Sequence, residues 1–79
     1  MDEVERKVTA ILASLLVVEG VSLEDDFFML GGDSLAATVL MSAIEANYGI
    51  LVDPVEIFEC PNVGKFCARV RQLREEAAA

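Results

Sequence analysis

The sequence predicts an all-α fold, a four-helix bundle with a long first loop and a short third helix. Three observations carry this expectation. Apolar residues recur at spacings of three and four in three separate segments, capping residues stand at segment ends, and no stretch alternates with the period of a strand. From Glu3 to Val18, the residues Val4, Val8, Ile11, Leu12, Leu15 and Val18 fall on one side of a helix, with Arg6, Thr9 and Ala13 opposite. Between Glu19 and Asp33 the pattern turns irregular, with Gly20, the run Glu24-Asp25-Asp26 and the pair Gly31-Gly32. Val21, Leu23, Phe27, Phe28 and Leu30 keep that segment apolar. It is expected to be a long loop pinned to the core by its own side chains, a feature uncommon without a functional reason.

A second helix is expected to begin at Ser34, capped by Asp33, and to end at Tyr48 with Gly49 in the left-handed position beyond it. Projected at about 100° per residue, Ala37, Leu40, Met41, Ile44 and Tyr48 share a core face. Leu35, Val39, Ser42 and Ala46 share the opposite face, which is unusually apolar for a surface left in water. Asp53-Pro54-Val55-Glu56 reads as a capping box with proline at the first helical position, and Pro61 stops this third helix after barely two turns, with Ile57 and Phe58 as anchors. Asn62 then caps a fourth helix carrying Val63, Phe66, Cys67, Val70 and Leu73, whose Ala77-Ala78-Ala79 end is expected to fray. With no internal repeat and no linker, residues 1–79 read as a single domain.

Composition narrows the function. The chain has 79 residues, 54% of them apolar, with 14 acids, 6 bases, no histidine and a formal charge of −8. A domain of this size buries only about 60% of its unfolded surface and has little room for a cleft between lobes. Lacking histidine, it also lacks the usual general base and the commonest metal ligand, so an enzyme is not expected. The acidic balance disfavours nucleic acid and membrane surfaces as partners and favours proteins with basic patches. All six bases lie at or before Lys7 or at or after Lys65, which leaves the middle of the chain to acids alone. Cys60 and Cys67 are too few for a disulfide framework. The start of the chain has no positive flank, and its longest apolar stretch, Ala10 to Val18, is interrupted by Ser14. A soluble, cytoplasmic monomer is expected.

The local feature that stands out is Gly31-Gly32-Asp33-Ser34-Leu35, two flexible residues before a capped helix that begins with a serine. Such a hydroxyl stands at a positive helix end, where free N–H groups and the dipole favour an attached phosphate. On local chemistry alone a plainer reading stays open, in which Gly-Gly makes the turn, Asp33 caps, and Ser34 is a tolerated first-turn residue. Gly32-Asp33-Ser34-Leu35 also spells a serine-esterase signature, yet no histidine is present to activate Ser34 and the chain is too short for such a fold. Asp25, Asp26 and Asp33 do not match an EF-hand loop, since Phe27 and Met29 occupy its third and fifth positions. The two cysteines cannot complete a zinc site, so no metal is expected, and Cys67 reads as a small core residue.

The run Asp25-Asp26-Phe27-Phe28-Met29-Leu30-Gly31-Gly32-Asp33-Ser34-Leu35 resembles the attachment motif of the peptidyl and acyl carrier families. The resemblance continues through Tyr48-Gly49-Ile50, Ile57-Phe58-Glu59 and Pro61-Asn62-Val63 and so covers nearly the whole chain. The double Phe and Gly-Gly are more similar to peptidyl carriers of nonribosomal peptide synthesis than to fatty-acid or polyketide carriers. The resemblance implies a four-helix carrier-protein bundle in which a phosphopantetheinyl transferase joins 4'-phosphopantetheine from coenzyme A to Ser34, with Gly32, Asp33 and Leu35 framing the site. It implies no catalysis by the chain itself: the arm's thiol holds an aminoacyl or peptidyl group as a thioester and presents it to adenylation, condensation, tailoring or thioesterase enzymes. Two alternatives are a polyketide-type acyl carrier and an unmodified helical interaction domain. The residues themselves suggest where partners dock: Leu35, Val39, Ser42 and Ala46, with Met29 and Leu30 just before the attachment turn. Two departures from family habit are Glu45 as the second helix's sole charge and Cys60 directly before Pro61.

Overall fold

The computed structural model describes residues 1–78 and contains four helices: α1 (Glu3–Leu16), α2 (Ser34–Tyr48), α3 (Val55–Glu59) and α4 (Val63–Ala78). Among the described residues there is no strand, only an isolated antiparallel bridge between Asp26 and Asn62. Nor, among them, is any helix long and apolar enough to cross a membrane.

α1 starts in a complete capping box, Asp2 accepting from the Glu5 N–H while the Glu5 carboxylate accepts from the Asp2 N–H, both at 2.8 Å. It ends two residues before the periodicity suggests, because Val17 takes the left-handed conformation (φ +55°) and sends Val18 out of the helix. Val4, Val8 and Leu12 are buried as expected, but so is Thr9, which the helical projection puts on the outer face. Thr9 tolerates burial because its hydroxyl donates to the Glu5 carbonyl at 2.7 Å, which satisfies it within its own helix.

The central helix follows the expected limits, with Asp33 capping and Gly49 at φ +68° closing. Ala37, Leu40, Met41 and Ile44 are buried and meet Val63, Phe66, Cys67 and Val70 of α4 in one core, with Tyr48 half-buried at its margin. At α3 the expected capping box is not made, and the helix begins one residue late, at Val55, with Pro54 in the capping position rather than first in the helix. Asp53 Oδ1 accepts from the Val55 N–H at 2.9 Å, but the Glu56 carboxylate turns away to Arg69. Ile57 is buried, whereas Phe58 is partly exposed: a five-residue helix buries one narrow face, and neighbours in sequence point about 100° apart. Asn62 caps α4 through the Lys65 N–H at 2.8 Å. Ala77 and Ala78 remain helical rather than frayed, and Ala79 lies outside the described residues.

Charges clasp the two ends of the chain together. Arg71 reaches Asp2 at 2.9 Å and Glu5 at 3.5 Å, Arg74 reaches Glu3 at 2.9 Å, and the Tyr48 hydroxyl donates to Glu3 at 2.6 Å. The Arg74 guanidinium also sits 4.5 Å from the centre of the Tyr48 ring. Each exposed pair contributes about 0–1 kcal/mol, so the clasp aligns elements more than it stabilises them.

Two groups in this region make stability sensitive to alkali. Burial, and then its hydrogen bond to Glu3, push the Tyr48 hydroxyl up to about 12, and burial pushes the Cys67 thiol up to about 11. A raised folded value means that the protonated form is favoured by folding. The contribution is therefore complete below the unfolded values, 9 for cysteine and 10 for tyrosine, and is lost as pH rises through the folded ones. The urea midpoint should hold from about pH 7 to 8.5 and fall progressively above about pH 9. In Tyr48→Phe the fall above pH 10 should shrink to the part due to Cys67. A midpoint that is level up to about pH 11.5 would contradict this assignment.

Candidate functional site

The site grows out of the loop between α1 and α2, which hydrogen bonds hold at both margins. Asp25 and Asp26 act as turn formers: Asp25 accepts from the Ser22 N–H at 2.8 Å, and Asp26 Oδ1 accepts from the N–H groups of Phe28 (2.8 Å) and Met29 (3.1 Å). The loop is stitched to the start of α4 by three backbone bonds. Phe27 N–H donates to Pro61 O at 2.8 Å, Val63 N–H to Asp25 O at 2.9 Å, and Gly64 N–H to Leu23 O at 2.8 Å. Phe27 is fully buried, which bears out the expectation that the loop carries its own core anchor.

From that anchor the chain turns toward Ser34. Gly31 has φ +102°, a conformation open to glycine, and its N–H donates to Phe28 O at 3.0 Å. Gly32 serves for a different reason. A Cβ there would overlap the Phe27 ring, so only a hydrogen fits between backbone and aromatic edge. Asp33 is extended (φ −143°, ψ −173°), and its carboxylate accepts from the Ala36 N–H at 2.8 Å, a cap worth about 1 kcal/mol. Ser34 follows as the exposed first residue of α2. With Asp33 occupied on Ala36, the first N–H groups of α2 face outward at the positive end of a 15-residue helix. This geometry suits a phosphodiester on Ser34 Oγ. It does not suit nucleophilic catalysis by the chain, since Asp33 is engaged in capping and the sequence has no histidine.

Along the outer face of α2, Leu35 is 73% exposed and Val39 45%, and Ser42 and Ala46 are exposed beside them. Met29, at 86% exposure, extends this surface, but Leu30 does not: it is half-buried and packs against the core, because the Asp26 turn aims it inward. Sequence reasoning missed a second apolar patch. The Phe28 ring stacks on Phe58 of α3 (5.4 Å, 20°) and meets Phe27 edge-on (5.4 Å, 73°), with Leu51 and Val55 also exposed. The signal available was the adjacency of Phe27 and Phe28 in a chain segment that can bury only one of them. Among the described residues no group of three or more His, Cys, Asp or Glu is placed to hold a metal ion, and Cys67 lies in the core while Cys60 is half-buried at the end of α3.

Comparison with known proteins gives a consistent result. The family model described as phosphopantetheine attachment site matches residues 6–70. The chain is 40% identical over 73 residues to a component of the linear gramicidin synthase of Brevibacillus parabrevis, a match that spans 92% of this chain and 1% of that protein. It is 31% identical over 77 residues to the indigoidine synthase of Streptomyces lavendulae, a match that spans 96% of this chain and 6% of that protein. The chain thus spans only a small fraction of the length of the curated relatives it matches. Its structure is similar to one of the phosphopantetheine transferase Sfp in complex with coenzyme A and a peptidyl carrier protein (TM-score 0.87, 25% identity, 91% of this chain and 94% of that one). It is similar also to McyG A-PCP complexed with phenylalanyl-adenylate (TM-score 0.81, 28% identity, 89% of this chain and 11% of that one).

Proposed function

The chain belongs to the phosphopantetheine attachment family as a carrier domain of the nonribosomal peptidyl type, and from that premise we propose that Ser34 receives the arm and that residues 1–79 act as a single thiolation domain. The observation that carries this reading is the placement of Ser34: exposed, first in α2, and directly after a turn held by Phe27, Gly32 and the Asp33 cap. In the transfer, Ser34 Oγ bonds to the phosphorus of coenzyme A that bears the pantetheine arm, the phosphorus–oxygen bond to the nucleotide portion breaks, and the serine proton leaves to a base supplied by the transferase. The α2 terminus then faces the phosphodiester charge. The arm, once bound, supplies a thiol that carries cargo as a thioester, and tethering raises the cargo's effective concentration at each partner.

The partners of this reading are a phosphopantetheinyl transferase, an adenylation enzyme that loads the thiol, and condensation, tailoring or thioesterase enzymes downstream. Support comes from the transferase and adenylation complexes that its structural relatives form. We place the domain in the cytoplasm as a monomer, with the α2 stripe and Met29 as its docking surface and an acidic surround favouring basic partners. Intact mass after incubation with coenzyme A and a promiscuous transferase tests the central point: a single arm's mass should appear, mapped to the peptide containing Ser34. An unmodified chain would instead favour an unmodified interaction domain, while preferential loading by acyl-transferring rather than amino-acid-activating enzymes would favour a polyketide-type carrier. For docking, Val39→Glu, on an exposed position, should stay folded and slow loading about tenfold, a penalty of about 1.4 kcal/mol. An unchanged loading rate removes Val39 from the surface.

A further inference from the structure

On the reading that Ser34 is the attachment residue, we propose that Phe27 is a positioning residue for the transfer: its ring fixes the Gly31-Gly32 turn and with it the direction in which the Ser34 hydroxyl leaves α2. The ring Cζ and Cδ2 atoms stand 2.5 and 2.6 Å from where a Cβ on residue 32 would lie, so the backbone rests directly on the aromatic edge. The backbone of the same residue holds the turn from a second direction, Phe27 O accepting from the Gly32 N–H at 2.9 Å. Phe27 is itself immobilised, being fully buried and bonded through its N–H to Pro61 O at 2.8 Å. Gly31 has nothing within 4 Å of its own Cβ position, so beyond the two backbone bonds of the turn it is the ring against Gly32 that limits the swing of the pair. Only Asp33 separates Gly32 from Ser34, and Asp33 is committed to the cap. A change in tilt at Gly32 therefore passes directly to the hydroxyl.

Misdirecting a reacting hydroxyl lowers turnover in the bound complex without removing the surface that the transferase binds, because Leu35 and Val39 belong to α2 itself. Phe27→Leu, which keeps an apolar core residue but removes the Cε and Cζ atoms, should lower kcat for attachment about 10- to 100-fold with KM within about twofold. Kinetics are read with coenzyme A and a transferase at a temperature where circular dichroism shows each variant folded, and Phe27→Met takes the place of Phe27→Leu if the latter is not. Val8→Ala, a core truncation in α1, should destabilise the domain and leave kcat unchanged. Gly32→Ala should lose most attachment activity, and combining it with Phe27→Leu should recover part of it, since the new methyl enters space that the ring has left. Wild-type kcat in folded Phe27→Leu, an equal kcat loss in Val8→Ala, or no recovery in the double variant each overturns the positioning role. A wild-type chain that takes no arm overturns the attachment reading on which it rests.

Discussion

Ser34→Ala should take up no phosphopantetheine while folding like the parent chain. The Ser34 hydroxyl lies exposed at the first position of α2, and the one bond that Thr38 makes to this residue goes to its carbonyl, which alanine retains. Alanine is also the better helix former, so stability should change by no more than about 0.5 kcal/mol. Intact mass after transferase treatment, with circular dichroism on the same sample, reads both halves of this outcome. Mass gain in the variant would move the attachment to Ser14, Ser22, Ser42 or a threonine and sink the reading. The geometry argues against those residues, because none follows a glycine turn at the start of a helix.

Phe27→Ala should bring the domain close to unfolding. A fully buried phenylalanine truncated to alanine costs about 3–5 kcal/mol, from lost burial plus the cavity left behind. At about 0.05–0.15 kcal/mol per residue a chain of this length has roughly 4–12 kcal/mol to lose. Loop residues rarely carry such weight. Here the weight follows from the full burial of the ring and its packing beneath Gly32, which collapse has no easy way to replace, whereas the backbone bonds to Pro61 and Gly32 survive the substitution. Urea unfolding, compared with Phe28→Ala at the partly exposed neighbour, measures it: the Phe28 variant should lose much less, and equal losses would deny Phe27 its place as the anchor.

The two longest helical patterns are legible because each buries one face of a capped segment. The limits of α2 come directly from Asp33 and Gly49, residues whose conformations serve nothing but helix ends. What periodicity cannot show is which residue an element of five positions buries, and it misplaces Phe58 for that reason. Thr9 is misplaced by the helical projection, which sets it opposite the core face, although it is buried and its hydroxyl finds a carbonyl one turn back. The attachment turn is legible in its residues but not in its cause. Gly31 and Gly32 look alike in sequence, yet one answers to a positive φ and the other to a ring packed against it from the loop. Leu30 reads as part of the docking edge because it lies next to Met29, and only the Asp26 turn shows the two pointing apart.

The clasp between the first turn of α1 and Arg71 and Arg74 of α4 also takes in Tyr48, the last residue of α2. Ser34 begins the same helix, about 21 Å away at about 1.5 Å per residue. Any flanking chain joined before Asp2 is thus held beside the C-terminal part of α4, and the Ser34 hydroxyl occupies the far end of α2. The charged clasp and the Ser34 turn thus sit at opposite ends of one helix, so whatever is joined ahead of the chain stays clear of the hydroxyl.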